Sequence, residues 1–140
     1  MASGHDIAMA LRTAYWAMHR STEASFPKRT ATADQFVLLS LLAEQDGITQ
    51  QELVRRASSD PNTIRAMLVL LEKRGLVTRE RHPMDRRARC VALTRKGRQM
   101  YERLWAQSEP LRERLRAGFR AREAQTLVEF LVRIVRECEV

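Results

Sequence analysis

The spacing of apolar side chains predicts a mainly helical chain. Apolar residues at positions 7, 11, 14, 15 and 18 recur at helical spacing, which predicts an amphipathic helix over residues 6–25 that stops before Pro27. A second, strongly apolar helix is predicted to begin near Thr32, where residues 32–35 have the form of a capping box, and to end before Gly47. The first third of the chain is therefore predicted to consist of two helices.

Two further helices, separated by a turn, are predicted next. The sequence Thr-Gln-Gln-Glu at 49–52 has the form of another capping box and opens a short helix. Asp60 is a good N-cap, Pro61 suits the first helical position, and Gly75 suits a left-handed C-cap. A fourth helix is therefore predicted over residues 61–74, and we name it the reading helix.

After Gly75 the apolar period changes from helical to alternating. Residues 76–81 and 89–93 have the pattern of strands, and turn-like residues separate them at 82–86. This pattern predicts a β-hairpin. The fold class is accordingly mainly α with a small β-hairpin.

From Thr94 onward the pattern is helical again. One helix is predicted to about Phe119, with a kink or break at Pro110, and a last helix follows over about 122–138. The last helix carries an uninterrupted apolar seam at Ala124, Leu127, Val128, Leu131, Ile134, Val135 and Cys138. A seam this long favours contact with a second subunit, and packing against the other terminal helices of the same chain is the alternative.

Length and composition favour one domain without a cofactor. With 140 residues the chain has the size of a single domain, and it contains neither an apolar stretch of about 20 residues nor a signal sequence, so we expect a cytoplasmic protein without a membrane segment. Cys90 and Cys138 are far apart, without a CxxC motif, and are interpreted as reduced structural thiols; a redox role for Cys90 is the alternative. The chain has no Gly-rich phosphate loop, no HExxH motif and no convincing Ser, His and acid grouping, so neither catalysis nor a metal or other cofactor is expected.

The positive charge is concentrated in the middle of the chain. Residues 49–98 carry 13 Lys and Arg against 5 Asp and Glu, a balance equal to the net charge of +8 of the whole chain. The other residues carry 12 charges of each sign and are neutral as a group. Positive charge concentrated in one segment is typical of a surface that binds a polyanion. Each phosphate that the protein neutralises releases condensed counterions, and this release contributes to the affinity.

The reading helix has groups suited to base edges on one face. A helical wheel places an apolar stripe at Ile64, Met67, Leu68 and Leu71, and opposite it Asn62, Ala66, Val69 and Lys73, with Thr63 and Arg65 at the flanks. Asn can bond adenine, Arg can bond guanine, and an alanine or valine can contact a thymine methyl in the major groove. The preceding short helix offers Thr49, Gln50 and Gln51 at its positive end, where a phosphate is favoured. A solvated amphipathic helix is the alternative.

The predicted hairpin supplies a second basic element. Its cationic and histidine side chains are Arg79, Arg81, His82, Arg86, Arg87 and Arg89. Asp85 stands two residues before Arg87, close enough to orient its guanidinium, and an oriented arginine can enter a narrow minor groove. A solvated basic hairpin is the alternative. Combined with the two preceding helices, the hairpin predicts a winged helix-turn-helix.

Four ordered segments resemble signatures of the MarR family of bacterial transcription regulators. They are Thr-Gln-Gln-Glu-Leu at 49–53, Leu-Glu-Lys-Arg-Gly-Leu-Val at 71–77, Asp-Arg-Arg at 85–87 and Leu-Thr-Arg-Lys-Gly at 93–97. The resemblance covers nearly the whole chain, and the wing pattern followed by Leu-Thr-x-Lys-Gly is its most specific part. It implies one domain over 1–140, with a winged-helix DNA-binding region at about 32–97 and dimerisation helices at 1–31 and 98–140.

The resemblance also implies a function and a set of contacts. We expect a homodimeric regulator, a repressor in its usual role, that binds a pseudo-palindromic operator in double-stranded DNA and is released by a small, often aromatic, ligand. The family's Asp-x-Arg wing motif falls on Asp85 and Arg87, with Arg87 in the minor groove. The predicted DNA-binding residues are Thr49, Gln50, Asn62, Thr63, Arg65, Ala66, Lys73, Asp85, Arg86 and Arg87.

The resemblance places an effector pocket where the dimerisation helices meet the winged helix. Tyr15, Trp16 and His19 on the first helix are the candidate ligand-binding residues. Packing in a core or an interface is the alternative for each of them. The start of the reading helix departs from the family pattern, so no operator sequence is transferred, and an RNA or protein partner for the same winged helix stays open as the alternative to operator DNA.

Overall fold

The helices and strands of the chain follow the predicted order. The computed structural model describes residues 1–85 and 88–139. Within these residues the helices are α1 (Gly4–Ser25), α2 (Ala33–Glu44), α3 (Gln50–Arg56), α4 (Pro61–Lys73), α5 (Arg95–Ala117) and α6 (Ala121–Cys138). The strands are β1 (Ile48–Thr49), β2 (Val77–Arg81) and β3 (Arg89–Leu93). The mainly helical class with a small hairpin is confirmed, and α4 is the predicted reading helix.

The short strand β1 was not predicted from the sequence. It pairs antiparallel with β3, where Ile48 lies opposite Val91 and Thr49 opposite Cys90, and the described strands form a sheet in the order β1-β3-β2. Two residues are too short to show an alternating pattern, and only the contact with β3 defines them as a strand. Because β1 runs directly into α3, this pairing attaches the start of α3 to the hairpin.

One apolar core lies between α2, α3, α4 and the sheet. Its most deeply buried side chains are Leu38, Leu39, Leu42, Ile48, Leu53, Ile64, Leu68, Leu71, Leu76, Val77, Val91 and Leu104. From α4 the core takes Ile64, Leu68 and Leu71, which are four and three residues apart and so lie on one face of the helix. The opposite face of α4 is thereby directed away from the core.

The Leu-Thr-x-Lys-Gly segment joins the end of α4 to the start of α5. Thr94 Oγ1 donates to the carbonyl of Gly75 at 2.6 Å and accepts from the backbone N–H of Gly97 at 3.0 Å. Lys96 Nζ donates to the carbonyl of Arg74 at 2.9 Å, where a cation is favoured by the helix dipole. Gly75 has the predicted left-handed conformation, with φ of 74°. The segment therefore holds the C-terminal end of the reading helix.

The chain divides into two compact units, Met1–Gln107 and Ser108–Val140. In the second unit the buried Ser108 hydroxyl accepts a hydrogen bond from Arg112 at 2.7 Å. Helix α5 continues through Pro110, so the helix does not break there; a kink, the other outcome predicted at this residue, stays a prediction. The proline removes one helical N–H donor, and the flanking turns of a 23-residue helix keep theirs. No described residue of α6 is buried, and the seam residues Leu127, Val128, Leu131 and Val135 are exposed, whereas Ala124 and Ile134 are half-buried.

Candidate nucleic-acid interface

The first turn of α4 is fixed by the side chain of Asp60. The carboxylate caps the helix, accepting from the backbone N–H of Thr63 at 2.9 Å and from the Thr63 hydroxyl at 2.7 Å. These hydrogen bonds, chiefly the one from the backbone, lower the pKa of Asp60 below its usual value. Thr63 was predicted to contact DNA, and its hydroxyl proton is already donated. It therefore presents oxygen lone pairs, which suit a base or water donor and not a phosphate.

The outer face of α4 agrees with the predicted wheel except along one flank. Asn62, Arg65, Ala66 and Lys73 are exposed. Arg65 Nη2 donates to Asn62 Oδ1 over a long 3.4 Å, which places the arginine that can bond guanine beside the asparagine that can bond adenine at the helix start.

Val69, predicted on the outer face, is half-buried, whereas Leu70 is 52% exposed. Helix α4 packs on β2, and Glu72, three residues after Val69 and therefore on the same flank, is hydrogen-bonded to Arg79 of β2. Leu70 was missed as a surface residue. Its place on the wheel, between Ala66 and Thr63, was the available signal.

The two predicted capping boxes differ. At α2, Thr32 Oγ1 accepts from the Gln35 N–H at 3.1 Å and Gln35 Oε1 accepts from the Thr32 N–H at 3.1 Å, so that box is confirmed. At α3, Thr49 Oγ1 accepts from the Glu52 N–H at 3.1 Å, but the Thr49 N–H does not donate back to the Glu52 carboxylate. The capping box predicted at α3 is therefore wrong in its second half.

The Glu52 carboxylate is directed along α3 instead. It accepts from Arg55 and from Arg56 Nε, the latter at 3.0 Å. These hydrogen bonds, first from Arg55 and then from Arg56, lower the pKa of Glu52 to about 2. Two guanidinium groups outcompete one backbone amide for the carboxylate because their hydrogen bonds are charge-assisted at both ends.

The exposed glutamine at the start of α3 is Gln51. Gln50, the predicted phosphate contact, has a buried Oε1 with no hydrogen-bond partner among the described residues. Gln51 is exposed one position later. Consecutive helical residues point about 100° apart, so the packing of α3 decides which of the two faces solvent.

One of the hairpin arginines is paired with an acidic residue of α4. Arg79 Nη2 donates to Glu72 Oε1 at 3.1 Å, and this contact lowers the pKa of Glu72 below its usual value. Arg81 and Arg89 are exposed and lie directly opposite each other in the register of β2 and β3. Arg81 and Arg89 are thus the stem arginines available to a polyanion.

The turn of the hairpin is closed by hydrogen bonds at its base. The His82 N–H donates to the Ala88 carbonyl at 2.9 Å, and the Ala88 N–H donates to the Asp85 carbonyl at 3.1 Å. Asp85 is exposed at this turn. Arg86 and Arg87, both predicted DNA contacts, lie outside the described residues, and their roles stay predictions.

Two adjoining cavities lie beside α1 and α2, and the larger one extends to the helix-turn-helix. The larger has a volume of about 420 Å³ and the smaller about 200 Å³. Tyr15, Asp34 and Val37 line both cavities. The larger cavity also reaches Thr63 and Met67 of α4, so a ligand bound there would contact the reading helix directly.

The predicted ligand-binding residues form one aromatic cluster. The ring of Trp16 lies 5.3 Å from that of Tyr15 and 5.1 Å from that of His19, measured between ring centroids. His19 lines the smaller cavity, whereas Trp16 is not among the lining residues of either. His19 Nε2 is 3.8 Å from carboxylate oxygens of both Glu23 and Asp34. The imidazole therefore has two acidic neighbours before any ligand arrives.

Across the described parts of the chain, no group of His, Cys, Asp and Glu side chains is arranged to hold a metal ion. In the same residues no helix combines the length and the apolar character needed to cross a membrane. The candidate ligand-binding features of the described residues are therefore the basic surface and the two cavities.

Comparison with known proteins matches this arrangement of helices, hairpin and charge to one family. A MarR family profile matches residues 31–88. The transcriptional regulator HosA of Escherichia coli O111:H- is 33% identical over 106 residues, which are 76% of each chain. This chain belongs to the MarR family. The MarR resemblance of the sequence is thereby confirmed, and the protein is a DNA-binding transcriptional regulator and not an enzyme.

Solved structures of MarR regulators share the fold over nearly the full length. A cysteine-to-serine variant of Escherichia coli MarR complexed with operator DNA is 26% identical, with a TM-score of 0.82 over 91% of this chain and 92% of that one. BpsR of Bordetella bronchiseptica, whose DNA binding is regulated by 6-hydroxynicotinic acid, is 27% identical, with a TM-score of 0.82 over 92% of this chain and 98% of that one. The winged helix-turn-helix class is confirmed.

Proposed function

We propose that this MarR regulator binds a pseudo-palindromic operator with α4 in the major groove and the β2–β3 hairpin at the neighbouring minor groove. The observation that carries the proposal is the exposed start of α4, where Asn62 and Arg65 lie side by side within the segment that holds the whole net positive charge. Lys73 and the hairpin arginines add cations suited to the phosphate backbone. Arg87 is proposed to enter the minor groove.

A homodimer is proposed from the uncovered apolar faces of the terminal helices. In α6, Leu127, Val128, Leu131 and Val135 are 37–56% exposed in the single chain. An apolar face of this length on a soluble helix is stabilised by a partner surface, and a second copy of the same chain supplies an identical seam. Two copies related by a two-fold axis would place two reading helices on half-sites about 10 base pairs apart. We therefore assign residues 1–31 and 98–140 to dimerisation and 32–97 to DNA binding.

The two cavities favour a small aromatic effector that relieves repression. Tyr15 and His19 offer ring surfaces, and the described residues lining the cavities include Asp34 but neither Lys nor Arg. A phenol, which donates a hydrogen bond, is therefore a better match for these walls than a carboxylate, which would face Asp34 across the cavity. A ligand that contacts both Tyr15 and Met67 would change the position of α4 relative to α1. A regulator acting on bacterial DNA works in the cytoplasm.

A competition gel shift separates operator DNA from the alternative RNA partner. The probe is the duplex upstream of the protein's own gene, titrated with and without excess unrelated RNA. We expect a complex that survives the RNA at moderate salt. Preferential binding to the RNA would overturn the proposal in favour of an RNA-binding winged helix.

The effector is tested by thermal-shift screening of phenols and aromatic acids, followed by release from the same duplex. We expect phenols to raise the unfolding temperature and to release DNA. Tyr15→Ala should abolish both effects. A hit that acts equally on the wild type and on Tyr15→Ala would place the ligand elsewhere.

A further inference from the structure

A salt bridge ties the reading helix to the wing. Arg79 Nη2 on β2 donates to Glu72 Oε1, near the end of α4, across 3.1 Å. The Arg79 side chain is 22% exposed, and its Nε is buried without a hydrogen-bond partner among the described residues. Glu72 therefore holds this partly buried guanidinium against α4.

A carboxylate at position 72 is unfavourable for DNA binding if only its charge is considered. Glu72 precedes Lys73 of the outer face and lies within the segment that carries the net positive charge. Phosphates repel it, so its removal would by electrostatics alone strengthen binding to any duplex. A role that outweighs this repulsion must come from the geometry of the bridge.

The geometry of the bridge fixes two elements that must meet two grooves at once. A guanidinium is planar and donates in fixed directions, so its bond to Glu72 restrains the rotation of β2 about α4. The pair joins residues seven apart in the chain, across the turn that contains Gly75. The backbone and the core already hold the strand start at this junction, because the Leu76 N–H donates to the Leu71 carbonyl at 2.9 Å and Leu76 and Val77 are buried. The Glu72–Arg79 pair adds a directional side-chain hydrogen bond from β2 to α4.

We propose that Glu72 is a positioning residue for operator recognition. Through Arg79 it sets the direction of the hairpin relative to the reading helix, and hence the minor-groove position that the wing reaches when α4 lies in the major groove. The inference rests on the proposed function and deepens it. Because only register-dependent contacts need this alignment, specific binding depends on the bridge and binding to arbitrary DNA does not.

The test compares Glu72→Gln with Glu80→Gln. Both substitutions replace a carboxylate by an amide of the same shape and raise the net charge by one. Glu80 is exposed on β2 beside Arg79 and has no described side-chain partner, so it is the matched control. Binding is measured by fluorescence anisotropy over a range of salt concentrations, on a duplex that the wild type selects from a random library and on a shuffled duplex of equal length.

We expect Glu72→Gln to bind the selected duplex about three- to fivefold more weakly than Glu80→Gln, the effect of losing a partly exposed ion pair. Both variants should bind the shuffled duplex as tightly as the wild type or more tightly. Arg79→Lys keeps the charge but loses the planar donor. It should likewise lower the affinity for the selected duplex relative to the affinity for the shuffled duplex.

The positioning role is refuted if Glu72→Gln binds the selected duplex as tightly as Glu80→Gln, or if both lose affinity equally on both duplexes. Thermal unfolding at equal protein concentration verifies that the variants are folded. If the wild type selects no duplex at all, the proposed function fails, and that outcome is distinct from failure of the bridge.

Discussion

Replacing Gly97 by alanine tests how tightly the end of the reading helix is held. Gly97 lies in the first turn of α5, and its N–H donates to Thr94 Oγ1. A Cβ added here would lie 1.9 Å from the carbonyl oxygen of Leu76 and 3.2 Å from Leu93 Cδ2. The obstructing atom belongs to the backbone and cannot rotate away, so the helix start or the strand start has to move.

Two effects of opposite sign decide the outcome. Alanine is favoured over glycine within a helix by about 1 kcal/mol. Overpacking against a fixed neighbour costs about 3 kcal/mol, the upper part of the usual range, because the clash involves the backbone. We therefore expect Gly97→Ala to lower the free energy of unfolding by about 2 kcal/mol.

Urea unfolding followed by circular dichroism measures this difference. Protein concentration must be held constant, since dimerisation would add to apparent stability. Gly4→Ala is the control, because a Cβ at Gly4 meets nothing within 4 Å. A Gly97→Ala variant as stable as the wild type, or more stable, would show that the gain in helix propensity exceeds the cost of the clash. The close approach to Leu76 would then not require glycine at position 97.

The remaining predictions concern DNA contact, pH and assembly. Arg87→Ala should weaken binding chiefly at A·T-rich flanks and reduce the salt slope by about 1, and an unchanged affinity would remove Arg87 from the interface. Because the folded pKa of Glu52 is lowered from 4.5 to about 2, its contribution to stability is complete above pH 4.5 and is lost as the pH falls toward 2; acid titration of Glu52→Gln should lack that part of the decline, and an identical titration would contradict it. Leu131→Arg on the seam of α6 should give a monomer by sedimentation at micromolar concentration, whereas Glu129→Gln on its opposite face should not; a dimer in both would move the interface away from α6.

Local sequence patterns were sufficient to predict the structure wherever residues close in the chain determine it. The Asp60 cap, the Gly75 C-cap and the apolar stripe of α4 are all encoded within one or two turns, and each is present as predicted. Net charge is likewise a property of composition, so the basic middle segment and its polyanion partner followed from the sequence. Of the kink or break predicted at Pro110, the break does not occur, because a long helix tolerates the loss of one hydrogen bond.

The sequence by itself determined the helices, the hairpin, the charge distribution and, through ordered motifs, the MarR family. Tertiary structure alone decided which polar groups remain available: Gln51 is exposed where Gln50 was expected, and Arg79 is bound to Glu72. It also decided that Gly97 must lack a side chain, since the atom that excludes one belongs to Leu76, 21 residues earlier in the chain. The physical reason is distance along the chain: caps and periodicity depend on near neighbours, whereas pairing, burial and close approach depend on residues that only folding brings together.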